Sequence, residues 1–124
     1  MLLSFLTGLL LVILTIEVIV LIVLTIEWLK NKIAERLAAR ENHKIAFVDM
    51  TETVNSVRSG QVELEEEISM DELEKMCADH PYIIADYDIE TGDVDNYTSI
   101  KANEIDGKLA RGVKQQGGMV IFDG

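Results

Sequence analysis

Cysteine is almost missing from this chain: Cys77 stands alone, which excludes an internal disulfide and any cysteine-based metal centre. Histidine is nearly as scarce, with His43 and His80 far apart and neither in a ligand or catalytic motif. No nucleophile elbow, phosphate-binding loop or zinc signature is present, so the residues point to no reaction and no cofactor. Basic residues are few as well, 11 against 22 acidic ones, for a net charge of -11. That balance argues against nucleic acid, which wants a basic face. The chain is expected to be non-enzymatic.

What the sequence has in abundance is apolar residues at its start. Leu2 to Leu29 is a nearly unbroken apolar run, and no Lys or Arg precedes Lys30. About 20 apolar residues in a helix span a bilayer core, so the run predicts one transmembrane helix over residues 1–29. A cleaved signal would need a basic start, a shorter apolar centre and a small-residue cleavage site. Lys30, Lys32, Arg36 and Arg40 follow the run. The excess of basic residues on that side predicts a single pass through a plasma or inner membrane, N-terminus outside and C-terminal domain cytoplasmic. Trp28, Lys30 and Lys32 occupy the positions of interfacial anchors.

Glu17 lies near the centre of this run, where a charge costs at least about 2.5 kcal/mol on insertion scales. On a helical wheel its neighbours are all apolar. Ser4, Thr7, Gly8, Thr15 and Thr25 fall on an arc of roughly 100° nearly opposite, at 100° per residue. Small and hydroxyl residues on one stripe allow close helix approach. The expected membrane-helix contacts are therefore Glu17, Ser4, Thr7, Gly8, Thr15 and Thr25. Two non-lipid faces favour a multi-helix assembly, so the expected partners are the lipid bilayer and either a second copy or another membrane protein. The alternatives are a tolerated, protonated Glu17, or an ion-conducting pore that it lines.

Residues 30–59 lack Gly and Pro until Gly60 and carry Phe47, Met50, Val54 and Val57 at helical spacing. They predict a juxtamembrane helical stalk, with a strand at 44–50 as the competing reading. Residues 60–124 predict a small acidic α+β domain. A short strand over 61–66 comes first. Next is a helix begun by the capping box Ser69-x-x-Glu72, with Ile68 and Leu73 as its hydrophobic staple. Strands over 82–88 and 94–100 flank the Glu90-Thr91-Gly92-Asp93 turn. A short helix capped by Asn103 and ended by Gly112, then a strand over 119–122, complete the order β-α-β-β-α-β, as in ferredoxin-like folds.

Glu63 to Asp95 contains thirteen carboxylates. Asp86, Asp88, Glu90, Asp93 and Asp95 invite a calcium loop, but Gly92 and Tyr97 fall at the wrong positions for one. A solvated acidic hairpin is expected instead. Cys77 is expected on the buried side of its helix and His80 exposed at the helix end. The function these features imply is a single-pass membrane protein that presents an acidic domain for assembly. A pore using Glu17 or a membrane-tethered ligand sensor are the alternatives.

Overall fold

The computed structural model describes residues 5, 6, 8, 9, 15–39, 43–60, 69–88 and 90–122. They form one mixed five-stranded sheet with helices on both faces. In chain order the elements are β1 (Glu17–Leu24), α1 (Ile26–Ala38), β2 (His43–Asp49), α2 (Met50–Arg58), α3 (Met70–Asp79), β3 (Tyr82–Asp88), β4 (Val94–Ile105), α4 (Gly107–Gln115) and β5 (Met119–Phe122). The spatial order is β1-β4-β3-β2-β5. β1 runs parallel to β4, and the other three pairings are antiparallel.

Strand alternation divides the core in two. Ile45, Phe47, Ile84 and Ile100 point to one face, where Leu29 and Ile33 of α1 and Leu109 and Val113 of α4 cover them. Val48, Ile83, Ala85 and Tyr97 point to the other face. There they meet Met50 and Val54 of α2, Leu73 and Met76 of α3, and Phe5, Leu6 and Leu9. Period-two side-chain geometry makes this division automatic once the register is set.

The apolar run is not a spanning helix. Among the described residues no helix is long and apolar enough to cross a membrane. Residues 17–24 are a strand, and Thr25 then caps a new helix, its hydroxyl accepting from Trp28 N at 3.1 Å. A continuous apolar run is compatible with either a helix or a buried strand, and only length and composition separate them. Val18, Ile19, Val20, Ile22 and Val23 are β-branched, and β4 offers them a parallel partner from Glu17↔Thr98 to Leu24↔Ile105. The rest of the run, apart from residues 5, 6, 8, 9, 15 and 16, lies outside the described residues.

Nor is there a continuous stalk. His43–Asp49 is a strand buried on both faces between β3 and β5, as the run Ile45-Ala46-Phe47-Val48 requires. Asp49 ends it and caps α2, accepting from Thr51 N at 3.0 Å and Glu52 N at 3.3 Å. The helical stripe read from Phe47 to Val57 is genuine only from Met50 onward. The ferredoxin-like order also fails, because β2 is inserted between β3 and β5 and β1 extends the sheet at the far side. The expected strand over 61–66 and the staple residue Ile68 lie outside the described residues.

The local signals beyond residue 68 hold better. Ser69 caps α3, accepting from Glu72 N at 3.1 Å. Asp88 and Gly92 (φ 76°) close the β3–β4 turn, with Gly92 N donating to Asp88 O at 2.9 Å. β4 runs on to Ile105, so Asp106 rather than Asn103 caps α4, and Gly112 lies inside that helix.

Candidate functional site

β1 is an edge of the sheet, hydrogen-bonded to β4 alone among the described strands. Its side chains lie in two very different settings, alternating as far as Ile22, where the ladder skips a pair. Leu21 and Leu24 join the core cluster under α1. Val18, Val20 and Ile22 point to the opposite face, and Val20 and Ile22 are 75% and 78% exposed. Their neighbours across the ladder on β4 include Ser99 beside Val18 and Lys101 beside Val20. From Val18 to Leu24 there is no charge and no proline. Edge strands are ordinarily protected by lysines, prolines, bulges or shortness. The other edge, β5, is only four residues long. The β1 edge is eight residues long, and after Glu17 it lacks the charge and proline that guard such strands.

At the start of β1 a cleft of about 480 Å³ is lined by Gly8, Thr15, Ile16, Glu17 and the β4 residues from Val94 to Tyr97. Tyr97 closes its floor, donating its hydroxyl to Phe5 O at 2.8 Å and packing its ring 5.3 Å from that of Phe5. Burial pushes the Tyr97 phenol well above its ordinary value, and Asp95 adds to the shift. Gly8 is the only residue type that fits there, because a Cβ would collide with the Tyr97 hydroxyl.

The expected contact residues are thus dispersed. Glu17 opens β1 and is exposed, Gly8 admits Tyr97, and Thr25 caps α1. Thr15 is exposed before β1, while Ser4 and Thr7 lie outside the described residues. A helical wheel through Glu17, Thr15 and Thr25 does not apply, since a strand separates them. Trp28 packs half-buried against the core, Lys30 is exposed and Lys32 pairs with Glu35 at 3.9 Å. None of these three sits at an interface between a spanning helix and water, because no such helix is among the described residues.

A buried polar network ties α1 to the sheet. Arg36 donates through Nε to Asp86 Oδ1 at 3.2 Å, through Nη1 to Thr98 Oγ1 at 3.2 Å and through Nη2 to the Asn96 carbonyl. Asn96, held at φ 55°, donates its amide to Asp86 Oδ2 at 3.1 Å. Asp86 is only 3% exposed, so the hairpin is not a solvated acidic surface throughout. Breaking such a buried pair on one side costs about 3–5 kcal/mol, because it strands the other charge. The sequence did hold one clue: Arg36 falls on the inward stripe of Leu29 and Ile33, at i+7 and i+3.

His80 is buried too, contrary to expectation, and shares a 2.7 Å hydrogen bond between Nδ1 and Ser99 Oγ. Burial lowers its pKa, opposed by Asp79 and aided by Lys101. Ser99 is wholly buried, so the pair presents no nucleophile to a substrate. His43 is buried with neither ring nitrogen hydrogen-bonded. Cys77 is half-buried, its sulfur 3.4 Å from Thr51 Oγ1. Near it, burial raises the Tyr82 phenol, with Asp49 and Cys77 adding to the shift. Among the described residues no three His, Cys, Asp or Glu side chains gather as a metal site.

No family model matches this chain, and no curated protein or solved structure matches it significantly. With no spanning helix among the described residues, the single-pass placement is not supported. The pore and tethered-sensor readings fall with it, since Glu17 lies on a strand and not on a helix lining a lumen.

Proposed function

We propose that this chain is a non-enzymatic interaction domain whose β1 edge accepts a β-strand from a protein partner. The observation that supports it is the edge from Val18 to Leu24, free of charge and proline, with Val20 and Ile22 three-quarters exposed. Strand addition to such an edge draws affinity from main-chain hydrogen bonds and specificity from alternate side chains. Both halves are available here: one ladder edge of β1, and the apolar row Val18, Val20 and Ile22. The acidic balance of the molecule makes the partner a protein and not a nucleic acid.

The test is a fluorescent peptide carrying residues 17–24 between solubilising lysines, titrated with dilute full-length chain and followed by anisotropy. Saturable binding is expected. Val20→Lys combined with Ile22→Lys, both at exposed positions, is expected to weaken it by roughly tenfold or more while the variant stays folded by circular dichroism. Absence of binding, or equal binding by the double variant, would overturn the proposal.

A further inference from the structure

We infer that the strand received by β1 is β1 of a second copy, paired antiparallel about a two-fold axis through Val20, so that two sheets become one. This rests on the edge reading above and names its partner. Three features of β1 select a second copy in this orientation. The exposed row is symmetric in character about its centre: with Val20 opposite its own copy, Val18 faces Ile22 of the partner subunit and Ile22 faces the partner's Val18. Every contact in that row is then between β-branched side chains, which pack well across antiparallel strands. The single charge is placed to permit this. Glu17 is the first residue of β1, so antiparallel pairing sets it opposite the partner's Val23 and separates the two carboxylates by about 20 Å, at roughly 3.3 Å per residue. A parallel, in-register pairing would instead set the two Glu17 side by side, which is unfavourable.

The other edge does not compete for this role. β5 has only four residues, and Ile121 is its one large apolar side chain notably exposed among the described residues. A two-fold, self-complementary contact also closes, so it yields a dimer and not a growing fibre. The long unprotected edge is thereby removed from solvent, the outcome that edge strands otherwise secure with charges or bulges.

The experiment is disulfide trapping in full-length chain carrying Cys77→Ser. Opposed residues of antiparallel strands have Cα atoms about 4.5 or 5.5 Å apart, and both distances suit a disulfide. Val20→Cys is therefore expected to form a cross-linked dimer under mild oxidation many-fold faster than Gln115→Cys, an exposed position on α4. Val18→Cys mixed with Ile22→Cys is expected to cross-link faster than either alone. Sedimentation equilibrium of the unmodified chain is expected to show a dimer that the Val20→Lys, Ile22→Lys pair dissociates. A monomer throughout, with Val20→Cys no faster than Gln115→Cys, overturns the inference. If the residue 17–24 peptide still binds that monomer, the edge takes strands but the partner is another protein. If it does not bind, the edge reading falls as well.

Discussion

His80 carries a cost that depends on pH. Its imidazole is buried against Ser99, and burial lowers its pKa below the ordinary 6.5. The unfolded chain therefore binds the proton more readily than the folded one. The stability contributed by the neutral imidazole is fully present above pH 6.5 and is lost as the pH falls from there toward the lowered folded value. Urea unfolding across pH 5–8 is expected to show this decline, and His80→Gln is expected to reduce its slope. An equal slope in the variant would place the titration elsewhere. Neither His80 nor Arg36 could have been located from its neighbours in the chain. Arg36 meets Asp86 fifty residues away, and His80 meets Ser99 nineteen residues away. Only the position of Arg36 on an apolar stripe hinted that it turns inward.

At the scale of elements, Gly112 of α4 and Gly118 of the turn that follows make opposite demands. Gly118 adopts φ 100°, and a Cβ there would lie 2.8 Å from Thr53 N, at the beginning of α2. Its carbonyl accepts from Asp49 N at 2.7 Å, so the turn and the α2 cap are locked together. Gly112 sits in the interior of α4 with nothing within 4 Å of a would-be Cβ. Gly118→Ala is expected to destabilise by more than about 1 kcal/mol through strain and collision, whereas Gly112→Ala is expected to stabilise by about 0.5–1 kcal/mol. Paired chemical denaturation curves would show the opposite signs. Elements specified by local chemistry were legible in advance. The Ser69 capping box and the Gly92 turn depend only on neighbouring residues. β1 was not, and β2 was legible only as the competing strand reading of 44–50, because each owes its conformation to a distant ladder. Apolar runs such as Val18-Ile19-Val20 and Ile45-Ala46-Phe47-Val48 take the structure that their partners allow.

For the whole molecule, the inferred dimer brings together two chains that each carry a net charge of -11. Their mutual repulsion acts over the Debye length, which shortens to about 8 Å at physiological ionic strength. Sedimentation equilibrium is therefore expected to show the dimer tightening as salt is raised from a few millimolar. A dimer that weakened with salt would have to be held by ion pairs, which the β1 edge does not offer. The helical reading of the apolar run failed at this scale for a definite reason: the partner that makes residues 17–24 a strand arrives from the other end of the chain.

That arrangement also sets a timetable. The paired β1 residues each meet one 81 positions later, from Glu17↔Thr98 to Leu24↔Ile105. A ribosome adding 5–20 residues per second needs roughly 4–16 s to supply β4 after β1 has been made. Through that interval this long apolar strand has no ladder to join, so the nascent chain is a natural client for whatever shields emerging hydrophobic segments.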